Sequence, residues 1–289
     1  LIFTATMLLK KLIKNLSPKT GVINITGISQ DSRKIKKGDL FVAIKGDKYD
    51  GNKYISQAIS KGARVVIYSG KIKKNKKTKF INFKDTRNIL ASLSANFYKN
   101  KPKNIIAVTG TNGKTSVADF YYQIFKLQNI KSGFIGTLGF RKNKLLKKRN
   151  LTTLDSLTLN KDLNEMSRNN INNVIIEASS HGLKQKRLNF LKIKAGIFTN
   201  LGHDHLDYHK NMKDYFNSKL LLFNKILKKN SIMITDSDIE QFQVLKNIKK
   251  KRKLKLYTIG SRSNCLKILC HKIYKTHQIL KLKIKNKIY

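Results

Sequence analysis

A buried strand that runs directly into a glycine-rich turn and then a helix is the feature that most constrains this chain. Residues 105–108 are continuously apolar, as expected of a strand covered on both faces, and a helix is predicted over residues 115–127. In this setting backbone N–H groups and the helix N-terminus face an anion, Lys114 reaches the outer phosphates of a nucleotide and Thr115 ligates Mg²⁺. The residues predicted to bind ATP are Gly110, Thr111, Asn112, Gly113, Lys114, Thr115 and Ser116.

The loop departs from the strict phosphate-loop pattern at one position. The pattern G-x-x-x-x-G-K-[ST] requires Gly where this chain has Val108. This difference separates the loop from the commonest nucleotide hydrolases. The motif therefore predicts phosphate binding without identifying the reaction.

Strands and helices alternate on both sides of this loop. With 289 residues the chain is long enough for two domains, and the polar, proline-containing segment 99–103 is a good linker. We predict an α/β protein: a small N-terminal α/β domain over residues 1–100, then a doubly wound, mostly parallel-sheet, P-loop ATPase-like central domain over residues 101–289. The predicted strands are 22–28, 40–44, 64–68, 80–83, 105–109, 174–177, 195–199, 232–235 and 280–284. The predicted helices are 8–15, 54–61, 88–98, 115–127, 157–168 and 214–227.

The net charge of +45 raises the question of nucleic acid. The lysines are scattered through all segments, and Lys, Asn and Ile, all abundant here, share A/T-rich codons. A nucleic-acid-binding protein concentrates its charge on one face, so base composition is the preferred explanation and nucleic acid is not expected as a partner. A basic P-loop ATPase that binds nucleic acid stays open as the alternative function.

Cysteine usage and hydropathy exclude several other classes. Cys265 and Cys270, with His271 and His277 nearby, lack the C-x-x-C spacing of a zinc site and are too few for a disulfide framework. No apolar run approaches the ~18 residues that a membrane span needs. We therefore expect a cytoplasmic protein without a membrane partner.

Two further predicted strands end in chemically useful residues. The apolar residues 174–176 are followed directly by Glu177. The strand 196–199 leads into segment 203–209, which contains three His and two Asp. Ligands of an open parallel sheet bind outside the carboxyl ends of its strands, so Glu177 would lie beside the phosphate loop, although a solvent-facing strand-end acid is equally compatible. One imidazole with carboxylates would suit Mg²⁺ better than a three-His zinc site. Lys219, taken alone, is one helix lysine among many.

These motifs together resemble the Mur ligase family, cytoplasmic enzymes that build the peptidoglycan stem peptide, and within it the UDP-N-acetylmuramoyl-tripeptide synthetases. The likeness spans residues 29–223. The segments that carry it are Asp31-Ser32-Arg33, 38–43, Asp50-Gly51, 109–115, Thr152-Thr153, 177–183, Asn200 and 204–209. The ligase that adds D-Ala-D-Ala is less similar around residues 179–187, and folylpolyglutamate synthases lack the first domain.

The resemblance implies an activity and a mechanism. A monomeric, ATP-dependent carbon–nitrogen ligase would use ATP to phosphorylate the free D-Glu carboxylate of UDP-N-acetylmuramoyl-L-alanyl-D-glutamate. A diamino acid, meso-diaminopimelate or L-lysine, would then attack the acyl phosphate. Catalysis would depend mostly on positioning and charge neutralisation.

The resemblance also implies roles for individual residues. The implied catalytic residues are Lys114, Glu177, His205 and Lys219. The implied metal ligands are Thr115, Glu177, His205 and Lys219, the last as a carbamate. Ser32, Asp47, Lys48 and Tyr49 would contact the uridine diphosphate. Thr152, Thr153, Ser179, Gln185 and Arg187 would hold the muramoyl-peptide.

Three departures from the family limit these expectations. Leu154 stands where the family usually has Pro, and Leu151 where some members have Asn, so the substrate contacts there are open. We expect the C-terminal, amino-acid-binding domain of the family to be absent from this sequence. The chain would then bind its UDP-substrate and ATP but turn over poorly. An inactive remnant of such an enzyme stays open as an alternative interpretation. The choice between meso-diaminopimelate and L-lysine also stays open.

Overall fold

A computed structural model describes residues 6–46, 49–142, 145–147 and 150–289. The helices are α1 Pro18–Gly21, α2 Ile55–Ser60, α3 Thr86–Phe97, α4 Lys114–Leu127, α5 Ser156–Arg168, α6 Ser180–Lys184, α7 Met212–Leu221 and α8 Phe242–Arg252. The first ten strands are β1 Met7–Leu8, β2 Asn24–Ile25, β3 Ile28–Ser29, β4 Leu40–Val42, β5 Val65–Tyr68, β6 Lys79–Asn82, β7 Asn104–Thr109, β8 Ser132–Gly136, β9 Gly139–Lys142 and β10 Leu145–Lys147. The others are β11 Asn173–Glu177, β12 Ala195–Phe198, β13 Ile232–Asp236, β14 Lys255–Gly260, β15 Leu266–Ile273, β16 Gln278–Ile284 and β17 Lys287–Ile288.

The chain forms two compact units, and each is described separately. The first unit contains the residues up to Lys101 together with Asp155–Glu165 and Gln185–Phe190. The second contains Pro102–Leu154, Met166–Lys184 and Leu191–Tyr289. The predicted domain boundary between residues 100 and 101 stays a prediction.

The first unit is built on a four-stranded parallel sheet in the order β3-β4-β5-β6. Successive residues of β4 point to opposite faces, because side chains alternate along a strand. Leu40 and Val42 pack in one apolar cluster with Leu90 of α3, while Phe41 packs in another with Ala58 of α2. Both faces are therefore covered, as the continuously apolar sequences of β4 and β5 predict.

The second unit contains an eleven-stranded sheet in the order β10-β9-β8-β11-β7-β12-β13-β14-β15-β16-β17. Its central strands, from β8 to β14, pair in parallel, and the outer hairpins pair antiparallel. Val108 of β7 packs with Ile175 of β11, Phe134 of β8 and Ala118 of α4 in one buried cluster. The predicted α/β class with a mostly parallel central sheet is confirmed.

Two predicted elements near the start of the chain are wrong. Residues 8–15 form a short strand and one 3₁₀ turn, Leu9–Lys11, in place of a helix. Leu9, Leu12 and Ile13 are buried as the apolar pattern required, but the Leu9 N–H bonds to the Ile23 carbonyl 2.9 Å away, outside any helix. The predicted strand 22–28 is divided into β2 and β3.

Several elements of the second unit also differ from the prediction, and helix α8 and strands β9, β10, β14 and β15 were not predicted. The strand β8, with the sequence Ser-Gly-Phe-Ile-Gly, was not predicted, because its glycines interrupt the apolar pattern. The predicted helix 214–227 is α7 followed by a π-helical turn, Leu222–Ile226. Within the described ranges, no helix combines the length and the apolar character required to cross a membrane.

Candidate functional site

Three neighbouring parallel strands of the second unit end at the same level. Val108 of β7 is in register with Glu177 of β11, and Thr109 with Phe198 of β12. The segments that follow these strands therefore meet at one edge of the sheet, where ligands of open α/β sheets bind. They are the phosphate loop, residues 178–181 at the start of α6, and the segment from Thr199 onward.

The phosphate loop adopts the backbone conformation that its glycines permit. Gly110 has φ +152° and Gly113 has φ +80°, and Gly113 is the N-cap of α4. A Cβ on Gly110 would lie 1.8 Å from Thr199 Oγ1, so the close approach of the segment that follows β12 also requires glycine. Lys114 Nζ donates to the carbonyls of Gly110 (2.9 Å) and Thr111 (2.7 Å), and burial lowers the pKa of its ammonium.

The segment after β12 holds the loop in place. Thr199 Oγ1 donates to the Asn112 carbonyl (2.7 Å), and the Asn112 N–H donates to Asn200 Oδ1 (2.9 Å). Thr111 Oγ1 lies between the N–H (2.9 Å) and the carbonyl (3.2 Å) of Gly202. We did not predict these supporting roles. Asn200 was noted only as part of a motif, and nothing in the sequence shows that it faces Asn112.

Glu177 is fully buried, which excludes the solvent-facing interpretation. Its Oε1 accepts from the Thr137 N–H (2.9 Å), and its Oε2 accepts from the hydroxyls of Thr115 (2.9 Å) and Thr137 (3.2 Å). A Cβ on Gly136 would lie 2.1 Å from Oε1, so this glycine makes room for the carboxylate. Thr115 and Glu177, predicted as partners from different segments, are brought together.

Lys219 lies beside the phosphate loop and is almost completely buried, with 1% of its surface exposed. Its Nζ donates to the Gly110 carbonyl (2.7 Å) and lies 4.1 Å from the ring centroid of Tyr215. Burial, followed by the charge of Lys114, lowers the pKa of Lys219 to about 7, while Asp204 opposes the shift. Asp204 acts on Lys114 in the same way, so its carboxylate is a third charged group of the site.

The histidine-rich segment separates into an exposed part and a buried part. His205 is exposed, has φ +54°, and its Nε2 lies 3.4 Å from Asp204 Oδ2. His209 is buried, and its Nε2 lies 3.0 Å from Ser180 Oγ while its Nδ1 lies 3.4 Å from Asp214 Oδ2. The His181 ring contacts the rings of both, at centroid distances of 4.9 and 5.5 Å. The buried contacts of His209 thus hold segment 203–209 in place, while the side chain of His205 stays exposed to solvent.

The predicted muramoyl-peptide residues of the second unit surround Glu177. Thr153 is buried and its Oγ1 bonds to the Glu177 carbonyl (2.8 Å) and to Ser179 Oγ (2.9 Å). The Thr137 hydroxyl oxygen also lies 3.1 Å from Thr152 Oγ1, so Thr137 links Thr152 to Glu177. Thr137 was missed because strand β8, which precedes it, was missed. Ser116, in the first turn of α4, is exposed.

The other predicted substrate residues belong to the first unit. Ser32 donates to Gln57 Oε1 (2.6 Å) and lines, with the exposed Tyr49, a cavity of about 630 Å³. Gln185 Oε1 accepts from Arg187 Nη2 (2.6 Å) and Nε (3.1 Å). Asp47 and Lys48 lie outside the described residues.

The donor set of the second unit suits a magnesium nucleotide. In the described part of the chain no three His, Cys, Asp or Glu side chains lie close enough to form a metal site by themselves. A metal here would therefore use hydroxyl oxygen, the buried carboxylate of Glu177 and ligands from the nucleotide. Thr115 and Glu177 supply the hard oxygen donors that Mg²⁺ prefers, whereas the free amine of Lys219 does not.

Comparison with known proteins gives matches along most of the chain. The model of the Mur ligase middle domain matches residues 108–288, and the model of the Mur ligase family catalytic domain matches residues 24–98. A UDP-N-acetylmuramoyl-L-alanyl-D-glutamate--2,6-diaminopimelate ligase of Rickettsia bellii is 40% identical over 262 residues, which are 89% of this chain and 53% of the relative. The chain spans about half the length of the curated relatives it matches.

Solved structures agree with this result. The structure of a UDP-N-acetylmuramoyl-L-alanyl-D-glutamate--2,6-diaminopimelate ligase superimposes with a TM-score of 0.84 at 25% identity, covering 99% of this chain and 59% of the other. A MurF ligase from Thermotoga maritima in complex with ADP has a TM-score of 0.57 at 18% identity, covering 91% of this chain and 56% of the other. The second likeness concerns the fold alone.

Proposed function

Because this chain belongs to the Mur ligase family, we propose that the protein is an ATP-dependent ligase of peptidoglycan precursor synthesis. Its proposed substrates are UDP-N-acetylmuramoyl-L-alanyl-D-glutamate and a diamino acid, with 2,6-diaminopimelate favoured by the name of the Rickettsia bellii relative. We place the reaction in the cytoplasm, as the family resemblance implies. Residues 1–100 are proposed to bind the UDP-substrate and residues 101–289 to bind ATP.

The observation that carries the proposal is that two lysine side chains meet at the Gly110 carbonyl while Thr115 of the same loop bonds to a buried carboxylate. Lys114 and Lys219 both donate to the Gly110 carbonyl, at 2.9 and 2.7 Å, and Thr115 bonds to the buried carboxylate of Glu177 at 2.9 Å. A simple phosphate loop needs the first lysine and the threonine. The buried second lysine is the additional feature, and it supports a more highly charged site than nucleotide binding alone requires.

In the proposed reaction the D-Glu carboxylate attacks the γ-phosphorus of ATP and ADP leaves. The amine of the diamino acid then attacks the acyl carbon, the amine loses a proton and inorganic phosphate leaves. Lys114 would leave its two carbonyl partners and donate to the phosphate oxygens, where its charge offsets theirs. The N–H groups of the loop, held by Thr199 and Asn200, would fix the direction of the phosphates.

Mg²⁺, when bound, would neutralise phosphate charge as a Lewis acid. Thr115 and Glu177 would hold it, since their oxygens already lie together. Thr137 would orient the Glu177 carboxylate through its N–H and hydroxyl. His205, exposed and next to Asp204, is proposed as a further ligand.

We also propose that Lys219 is carbamylated in the working protein. Reaction with CO₂ requires a neutral amine, and burial lowers the pKa of Lys219 to about 7, so a large fraction is neutral at physiological pH. The amine nitrogen bonds to the carbon of CO₂ and releases a proton, which leaves an anionic oxygen donor. A free ammonium would repel a metal ion here, and a carbamate would attract it.

The proposed function is tested by phosphate release from ATP and by direct binding. Release should require both UDP-N-acetylmuramoyl-L-alanyl-D-glutamate and a diamino acid, and diaminopimelate and lysine are compared. Binding of the UDP-substrate to the full chain is measured in parallel by calorimetry. Phosphate release stimulated by DNA or RNA, without any binding of the UDP-substrate, would contradict the proposal.

A further inference from the structure

Six neighbouring parallel strands of the large sheet begin at the edge opposite the phosphate loop. The first residues of β8, β11 and β7 are in register with one another, and so are the first residues of β12, β13 and β14. The segments that precede these strands therefore form one continuous surface, which we call the amino edge. Five inter-strand spacings of about 4.8 Å make it roughly 24 Å wide.

The amino edge is strongly basic. Exposed lysines directly precede β7, β8, β12 and β13: Lys103, Lys131, Lys192, Lys194, Lys228 and Lys229. The run 249–253, in which every residue is Lys or Arg, ends α8 just before β14. In the described part of the chain no ion pair neutralises these cations. Their charge is therefore available to an anionic partner.

The acidic residues of the second unit lie toward the other end of the sheet. Asp119 is in the first half of α4 and Asp214 in the first turn of α7, two helices that begin at the carboxyl edge. The others end or follow β11, β12 and β13: Glu177, Asp204, Asp207, Asp236, Asp238 and Glu240. A/T-rich codons account for abundant lysine, but they do not account for this separation of acids from bases.

An exposed apolar stripe reaches the amino edge along α4. Phe120, Ile124 and Leu127 recur at helical spacing, and Ile130 follows between the helix and β8. Their exposed fractions are 61%, 52%, 83% and 41%. Because α4 ends at the amino edge, Leu127 and Ile130 lie there with Lys131. Apolar side chains grouped in this way at a surface mark a site of interaction with a protein or a membrane.

Charge and apolar stripe together distinguish between the possible anionic partners. A small anion would meet only part of a surface that is wider than the Debye length, which is about 8–10 Å at physiological ionic strength. A nucleic acid would neutralise the lysines, but its phosphates offer nothing to exposed leucine and isoleucine. An anionic bilayer uses both, because lysines attract lipid phosphates while apolar side chains enter the boundary between headgroups and acyl chains.

We propose that the amino edge is a docking surface for an anionic lipid membrane, with Leu127 and Ile130 entering the headgroup layer. The expectation of no membrane partner rested on spanning segments, which surface binding does not require. Because β7 has six residues, the amino edge lies roughly 20 Å from the phosphate loop. A bilayer bound there would leave the loop accessible to ATP.

The test is flotation of the full chain with two kinds of vesicle, phosphatidylcholine alone and phosphatidylcholine mixed with an equal amount of phosphatidylglycerol. A charge variant combines Lys192→Gln, Lys228→Gln and Lys229→Gln, and an apolar variant combines Leu127→Gln and Ile130→Gln. Melting temperatures show whether each variant is folded.

A matched control removes the same charge elsewhere in the second unit. It combines Lys272→Gln, Lys275→Gln and Lys281→Gln, three exposed lysines of the hairpin formed by β15 and β16. Since β15 pairs with β14 only at Ile259 and Gly260, the carboxyl end of β14, this hairpin extends away from the amino edge.

The wild type should float with the mixed vesicles and stay unbound with phosphatidylcholine alone. Binding should weaken at least about tenfold in the charge variant and severalfold in the apolar variant, while the control keeps most of the wild-type affinity. Added salt should weaken the binding of the wild type.

Three results would overturn the inference. Equal losses in the charge variant and the control would show that net charge alone attracts the vesicles. Wild-type binding that neither edge variant weakens, or no binding to the mixed vesicles, would place no membrane at this edge. If the wild type binds RNA or DNA in the same buffer and mixed vesicles do not compete, the surface serves a nucleic acid and the membrane assignment is wrong.

Discussion

The two parallel sheets of the molecule both carry candidate binding residues at the carboxyl ends of their strands, but the two edges are built differently. At the edge of the large sheet Glu177 and Lys219 are fully buried and bonded to neighbouring strands and loops. At the edge of the small sheet Lys45, Lys84 and Tyr49 are exposed. The first edge is organised before any ligand arrives, whereas the second depends on side chains that water already solvates.

This difference has an energetic consequence. Buried polar groups bind more strongly to a correctly placed charge, but each of them costs stability when a partner is removed. Exposed charges cost little and contribute modestly, with a dependence on salt. Substitutions at the large-sheet edge should therefore change both stability and binding, and those at the small-sheet edge only binding.

The largest effect is expected for Glu177→Ala, which leaves the hydroxyls of Thr115 and Thr137 without their acceptor. Magnesium-dependent binding of a non-hydrolysable ATP analogue should weaken at least about a hundredfold, roughly 3 kcal/mol. The control Glu240→Ala removes an exposed carboxylate of the same unit and should bind normally. Normal binding by Glu177→Ala would show that the buried carboxylate does not hold the metal.

Lys219→Met should stabilise the protein while abolishing ligation. The pKa of Lys219 is about 7 in the folded chain against 10.5 for an ordinary lysine, so the unfolded chain binds more protons between pH 7 and 10.5. Over this range the wild type gains stability as pH rises, and the Met variant lacks that gain. The proton-linked part of the difference in unfolding free energy should reach several kcal/mol at pH 6 and vanish above pH 10.5.

Thermal or urea unfolding across this pH range measures that difference directly. Bicarbonate should additionally raise the melting temperature of the wild type, through the carbamate, and leave Lys219→Met unchanged. A variant whose stability follows the same pH curve as the wild type would show that the amine is not buried in solution.

Gly136→Ala tests the space around the carboxylate. The new Cβ would lie 2.1 Å from Glu177 Oε1, so Glu177 must move, and we expect a loss of about 1–2 kcal/mol of stability together with weaker metal-dependent binding. In the matched variant Gly202→Ala the nearest atom would be 3.7 Å away, and little change is expected. Equal effects of the two substitutions would argue against close packing at Glu177.

Thr137→Val should have the smallest effect, about 1 kcal/mol, since it removes one hydroxyl and keeps the N–H that also binds Glu177. Thr137→Ser retains the hydroxyl. In this variant the concentration of Mg²⁺ needed for half-maximal binding of the ATP analogue should return to the wild-type value. A positioning role requires this rescue. If Ser and Val behave alike, the hydroxyl does not orient the carboxylate.

The phosphate loop could be predicted from the sequence, because the backbone conformation of such a loop requires particular residues at particular positions. Gly110 and Gly113 provide conformations that other residues avoid, and Lys114 opens the helix. The α/β class followed from apolar strands between helices. Glu177 could be placed at the correct sheet edge, but its burial depended on Thr115 and Thr137, two residues remote in sequence.

Other parts of the site could not be predicted in this way. Lys219 gives no local signal, since its environment is created by Gly110 and Tyr215 from other segments, and only the family resemblance singled it out. The roles of Thr199, Asn200 and Thr137 depend on the order of the strands in the sheet.

We propose that the edge of the large sheet is the ATP half of a metal-dependent ligase site. Calorimetric titration of the wild-type chain with a non-hydrolysable ATP analogue, with and without Mg²⁺, tests it most directly. We predict one site whose affinity depends on Mg²⁺ and is lost in Lys114→Ala. Binding that is equally strong without Mg²⁺ and in Lys114→Ala, or no binding at all, would contradict it.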